Sequence, residues 1–268
     1  MNEILLLSNA NHPIIEQAKS LVSAYENEHV KFSFQTAKLS DENVIEKAKS
    51  AHAVLFVTTT KEEDKAIESI RKNLNLYAQI TGLSSYIDGV NRELCIVQDK
   101  NGGIYHGEKG FGNNHSFGRE AYDTERYSEL EIERTARVAY EYTQERARHL
   151  TLCDKADMLN SSKLWRKVVA DVNEDYPFVT VDMQDITATA KAIITSLQSL
   201  DTIVTTALFG DILTSVATSV FGSAPSISFV GDTPLAMYGF NLCEQSNVSQ
   251  NSIESLIRFA MQNSFGIE

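Results

Sequence analysis

Short uninterrupted apolar runs alternate with helically spaced ones along the first third of the chain. Residues 4–7 are continuously apolar and run into a turn, which predicts a buried parallel strand. Residues 13–24 carry Ile14, Ala18, Leu21 and Val22 at helical spacing. Residues 30–34 alternate as a second strand. Residues 41–48 predict a helix with Ser40 as its N-cap, and residues 53–57 a third buried strand. Strand, helix, strand, helix, strand is the pattern of a doubly wound α/β unit.

Further along, residues 62–77 predict a mixed-charge helix. Residues 94–97 predict a strand leading into Asn101-Gly102-Gly103, a hairpin turn signal. Residues 107–118 are rich in Gly, Asn and charge and predict a loop or extended arm outside the compact core. Residues 129–148 form the longest helical pattern, with Ile132, Ala136, Ala139, Tyr140 and Tyr142 on it and a solvated charged face. Residues 150–153, 179–183 and 202–205 read as strands, and residues 163–172, 212–220 and 252–262 as helices. No internal repeat is visible, and with 4 Pro no linker announces itself.

Composition narrows the classes. The chain has 268 residues, 43% hydrophobic and 22% charged, enough for a sizeable core and not the balance of a disordered protein. Lys plus Arg is 24 against 36 Asp plus Glu, a formal charge of −12, which argues against nucleic-acid partners. The 3 Cys, at 95, 153 and 243, are far apart and lack CxxC spacing, so neither a disulfide scaffold nor a structural zinc site is expected. The start reads as a strand rather than a signal peptide, and no apolar stretch approaches the roughly 18 residues of a membrane span. The expectation is a cytoplasmic protein with no membrane partner. His12, His106 and His115 show no ligand spacing.

Four motifs carry the chemistry. They are Gly102-Gly103-Ile104-Tyr105-His106-Gly107-Glu108; Thr124-Glu125-Arg126-Tyr127-Ser128 followed by Glu133-Arg134-Thr135-Ala136-Arg137; Cys153-Asp154-Lys155-Ala156-Asp157-Met158-Leu159 with Leu164-Trp165-Arg166; and Phe209-Gly210-Asp211-Ile212-Leu213. Their order and spacing resemble the β-decarboxylating dehydrogenases, the 3-isopropylmalate and isocitrate dehydrogenase family, with the isopropylmalate branch nearest. The resemblance implies an α/β fold of two subdomains around a central cleft with a dimerisation arm. Residues 1–83 plus 222–268 would form the first subdomain and residues 84–221 the second. It also implies NAD or NADP, Mg²⁺ or Mn²⁺ held by aspartates, arginines on the substrate carboxylates, and a Tyr and a Lys that move protons.

Matched residue by residue, Tyr105 stands at the family's catalytic Tyr, Lys155 at its catalytic Lys, and Asp211 at one of its metal-binding Asp residues. The other positions depart. Thr81 and Gln98 stand where substrate-binding arginines are expected, and a neutral side chain cannot clamp a carboxylate as Arg does. Thr187 and Ser215 stand in place of two further metal aspartates, and Asp157 in place of an Asn near the nicotinamide. Ser8-Asn9-Ala10-Asn11-His12-Pro13-Ile14 lacks the family's glycines. Met237-Tyr238-Gly239-Phe240-Asn241-Leu242-Cys243 replaces the cofactor loop, with Tyr238 and Phe240 expected to intrude on the dinucleotide. Trp165 and Arg166 read as packing and surface.

These departures lead to a divergent homologue that binds neither NAD nor the metal and serves as a binding or regulatory homodimer, or pairs with an active paralogue. A small-molecule ligand other than a di- or tricarboxylate fits that reading. One alternative is a cofactor-independent enzyme using Tyr105 and Lys155 for an enolisation, decarboxylation or lyase step. Another is an NAD-dependent 2-hydroxy-acid dehydrogenase with a rebuilt site.

Overall fold

The computed structural model describes residues 2–9 and 12–267. It divides into two compact units, Met1–Glu93 with Thr218–Glu268, and Leu94–Ala217. The sequence reading put these boundaries at 83/84 and 221/222.

The first unit opens with β1 (Asn2–Leu7), α1 (Pro13–Ser23), β2 (Phe32–Ala37), α2 (Val44–Ser50), β3 (Ala53–Thr58), α3 (Lys61–Asn73) and β4 (Ala78–Ile87). β3 is buried throughout, as a strand covered on both faces must be, and its sequence is accordingly a continuous apolar run. Leu5, Leu7, Val54 and Phe56 pack with Val44, Ala48, Ile67 and Ile70 of α2 and α3. α1 starts where the side chain of His12 accepts the Ile14 N–H, and α3 starts on a capping box of Thr60 and Glu63. Two expected starts are displaced. β2 begins at Phe32 because Asn27 accepts the N–H groups of His29 and Val30 and holds that stretch as a turn. α2 begins at Val44, not after a Ser40 cap, because Asp41 closes a turn onto the Lys38 N–H and ion-pairs with Lys47.

β5 (Val90–Asp99) follows β4 through Asp88 and Gly89, both at positive φ, as a two-residue hairpin turn requires. The second unit continues with β6 (Lys109–Asn114), β7 (Gly118–Asp123), α4 (Glu129–Gln144), β8 (His149–Asp154), α5 (Asn160–Asn173), β9 (Thr180–Asp185), α6 (Ile186–Thr195), β10 (Thr202–Thr205) and α7 (Ala207–Phe221). Its strands run parallel in the order β5-β10-β8-β9. Of the segment expected as a loop or extended arm at residues 107–118, residues 109–114 form β6 of a separate antiparallel β6–β7 ribbon, so the second alternative holds, with Phe111 and Phe117 exposed. α7 starts five residues before the expected position, because the Tyr127 hydroxyl accepts the Ala207 N–H and caps it.

The chain returns to the first unit with β11 (Ser226–Val230), β12 (Met237–Asn241) and α8 (Gln250–Phe265). That unit's strand order is β2-β1-β3-β12-β11-β4, with β11 antiparallel to both neighbours. β12 overturns one expectation. Residues 237–241 are a strand, not a cofactor loop, and Tyr238 and Phe240 are buried. The Tyr238 hydroxyl pairs with Ser264 at 2.8 Å and accepts from the Asn263 amide at 2.8 Å, both on α8. No helix among the described residues is long and apolar enough to cross a membrane.

Candidate functional site

β5 delivers Gln98 and Asp99 to its C-terminal end, and a turn then carries Tyr105. Asp99 is fully buried and organises that turn. One of its oxygens accepts the N–H groups of Asn101, at 3.0 Å, and of Gly102. Its other oxygen accepts from the Thr135 hydroxyl and lies 3.6 Å from the Arg134 guanidinium. Burial pushes the Asp99 carboxyl above the usual range. The Tyr127 ring covers the turn. A Cβ on Gly103, which also has φ of +74°, would lie 2.3 Å from the Tyr127 hydroxyl.

The turn aims the Tyr105 hydroxyl at Asp211, where it donates to Oδ2 at 2.9 Å. Gln98 Nε2 donates to Oδ1 of the same carboxylate at 2.8 Å and to the Ala207 carbonyl at 3.3 Å. Lys100 Nζ stands 3.9 Å from Oδ1. Gln98 is fully buried, and its Oε1 has no hydrogen-bond partner. Turning the amide over would aim that oxygen at a carboxylate and a carbonyl, so the orientation is fixed. Asp211 itself lies in the second turn of α7, not at a helix start. Burial, and then the hydrogen bond to Asp211, push the Tyr105 phenol up to about 12. Tyr105 is therefore a proton-holding donor at neutral pH.

Lys155 belongs to a second cluster. Its Nζ donates to Asp185 Oδ2 at 2.5 Å and to Asp157 Oδ2 at 3.1 Å. Asp185 ends β9 and caps α6, accepting the Thr187 N–H at 2.8 Å and the Thr187 hydroxyl. Lys155, first among several donors, holds the Asp185 carboxyl well below the usual range, and Asp185 in turn raises the Lys155 ammonium. Both stay charged at neutral pH. An open pocket of about 550 Å³ beside them is lined by Ala156, Asp157, Lys163, Arg166 and Asp185.

Asp185 is the residue that sequence reasoning missed. The residue-by-residue match to the family put Thr187 at the position of a metal aspartate and suggested a lost carboxylate. The structure places one two residues earlier, with Thr187 as its donor. The available signal was an Asp at a strand-to-helix junction ahead of Thr-Ala-Thr, the position of an N-cap. Arg166, expected at the surface, instead grips the buried Asp154. Ser215, expected in place of a metal Asp, donates its hydroxyl to the Asp211 carbonyl. Thr81 lies in the first unit, fully buried, and accepts from the Gln79 amide at 2.9 Å. Thus the structure brings Tyr105, Gln98 and Asp211 together, joins Lys155 to Asp157 and Asp185, and keeps Thr81 inside a strand.

A divalent metal does not fit either cluster as it stands in one chain. Hard cations need several free oxygen ligands, but Asp211 is met by three donor groups and Asp185 by an ammonium and a hydroxyl. Among the described residues, no group of three His, Cys, Asp or Glu side chains is placed to hold a metal ion. The C-terminal ends of β3 and β12 carry two acidic side chains that are bonded to the chain's own donors. There Asp64 accepts from Thr58, Asn241 and Cys243, and Glu63 from Asn9 and Thr59. Ala10 and Asn11 of the first turn lie outside the described residues.

The family model described as isocitrate/isopropylmalate dehydrogenase matches residues 8–262. The chain belongs to the isocitrate/isopropylmalate dehydrogenase family. It is 36% identical over 238 residues to the 3-isopropylmalate dehydrogenase of Staphylococcus aureus (strain MRSA252), covering 78% of this chain and 67% of that protein. It is 36% identical over 188 residues to the 3-isopropylmalate dehydrogenase of Clostridium acetobutylicum, covering 65% of this chain and 52% of that one. The aligned region thus spans between about half and two-thirds of these relatives' lengths. In fold it is similar to the crystal structure of isocitrate dehydrogenase from Methylococcus capsulatus. The TM-score is 0.75 at 20% identity, covering 99% of this chain and 85% of that chain. The family is one of dehydrogenases of the isopropylmalate/isocitrate type.

Proposed function

We propose that this chain is a ligand-binding or regulatory member of its family that does not carry out metal-dependent oxidative decarboxylation. It acts in the cytoplasm as a homodimer or beside an active paralogue. The observation that carries this reading is the state of Asp211. Both of its oxygens accept hydrogen bonds from the chain's own Gln98 and Tyr105, and Gln98 stands where the resemblance expects an arginine. A site built this way uses the Gln98 and Tyr105 donors within the chain and lacks the positive clamp for a polycarboxylate. Tyr105 and Lys155 are both held protonated. The Lys155 ammonium has one N–H beyond those given to Asp157 and Asp185 and can donate it to a ligand oxygen, but neither group is a ready base, which weighs against the cofactor-independent enolisation reading.

Asp185 favours a second reading. A carboxylate beside Lys155 survives, so a dehydrogenase site completed by a partner subunit retains more of its charged groups than the sequence suggested. Calorimetric titration separates the two. The proposal expects NAD and NADP to bind more weakly than about 1 mM, which corresponds to about −4 kcal/mol. Micromolar binding of either would favour the dehydrogenase.

A further inference from the structure

The turn that presents Lys155 is held from behind by an ion pair that uses none of its own side chains except Asp154. Asp154 is 1% exposed, the last residue of β8. A buried carboxylate needs a full set of partners, and Asp154 finds it in Arg166. Nε of Arg166 donates to Oδ2 at 2.5 Å and Nη2 to Oδ1 at 3.0 Å, a two-pronged contact. The same Oδ1 accepts the Ala156 N–H at 3.0 Å. Ser162, one helical turn before Arg166 on α5 and fully buried, accepts the Lys155 N–H at 3.1 Å. The Lys155 carbonyl accepts from Met158 and Leu159 at 3.0 and 2.9 Å. The backbone on both sides of Lys155 is thus tied to one face of α5, and only the Lys155 side chain is left to reach Asp157 and Asp185.

We propose that Arg166 is a positioning residue. Acting through Asp154, it fixes the turn of residues 154–159 so that the Lys155 ammonium is delivered between Asp157 and Asp185 at the mouth of the adjoining pocket. The chemistry requires Arg in particular. A lysine at position 166 would supply the charge, but as a point charge it cannot present two parallel N–H groups to both oxygens of Asp154. With one prong lost, Oδ1 is free to rotate off the Ala156 N–H, and the turn is released at its centre. The significance of this device rests on Lys155 being a working cation of the site, as proposed above. The geometry itself does not, and the experiment reads the geometry.

Lysines of the whole chain are labelled biosynthetically with ¹³C, which leaves all three N–H donors on each ammonium. The Lys155 ε-methylene resonance is assigned by its loss in Lys155→Arg and recorded at one fixed neutral pH. Two adjacent carboxylates set it apart from the exposed lysines in the unaltered protein, and Asp185→Asn moves it. Arg166→Lys and Arg166→Ala are expected to collapse it into the exposed-lysine envelope. Arg166→Lys preserves the buried charge pair and carries the decision if Arg166→Ala does not fold. A Lys155 resonance at its original position in folded Arg166→Lys overturns the proposal, as does one lying in the envelope before any substitution. Nucleotide or ligand binding does not enter this readout, so it fails separately from the functional reading.

Discussion

Trp165→Ala is expected to cost about 3–5 kcal/mol of folding stability, the range for deleting a large buried aromatic. The side chain is fully buried on α5. Its indole N–H has no hydrogen-bond partner, so the cost is packing and cavity rather than a lost bond. It meets the Tyr127 ring edge-on, with centroids 5.4 Å apart and planes at 84°. Tyr127 in turn caps α7 at Ala207 and covers the glycines of the turn that carries Tyr105. Loosening Trp165 therefore reaches the site through one aromatic neighbour. Trp165→Phe, which keeps a ring against Tyr127, should lose clearly less. Urea unfolding followed by circular dichroism checks both. Equal losses for Ala and Phe would mean that the ring contact carries none of the stability.

Gly239→Ala is the second large effect, expected to destabilise by about 3 kcal/mol, near the upper end for overpacking a core. Gly239 faces Phe56 in the parallel pairing of β12 with β3. A Cβ there would lie 1.9 Å from the Phe56 carbonyl oxygen and 2.7 Å from its ring. The obstacle is backbone, so two central strands must separate. In the sequence this glycine lies in the segment that stands in place of the family's cofactor loop. In the structure its side-chain position is already filled by the sheet. A thermal melt of Gly239→Ala coincident with that of the unaltered protein would show that β12 and β3 are not packed in this way.

Continuous apolar runs marked β1 and β3, since strands buried on both faces leave no other pattern. β4 was hidden because Gln79, Thr81 and Ser84 are buried within it, paired to each other or to neighbouring strands and turns. Its hairpin signal, Asp88-Gly89, was nonetheless present. α6 opens Ile-Thr-Ala-Thr-Ala, where β-branched residues of low helix propensity alternate with alanines, and its Asp185 cap marks the start. At the site, motif order located Tyr105, Lys155 and Asp211. It could not show that Gln98 is turned onto Asp211, or that the carboxylate beside Lys155 is Asp185, because both facts depend on which strand ends lie side by side. Arg166 was misread for the same reason. A charged residue next to a buried Trp on a helix looks solvated until its buried partner on another element is known.

The central claim is that the chain retains the family's fold without its oxidative decarboxylation. Nicotinamide absorbance at 340 nm measures this directly, with isopropylmalate, isocitrate and malate, NAD or NADP, and Mg²⁺ or Mn²⁺. No reduction of cofactor above the no-enzyme rate is expected with any combination. Metal-dependent formation of NADH or NADPH that disappears in Tyr105→Phe and Lys155→Ala would contradict the account and establish a working dehydrogenase.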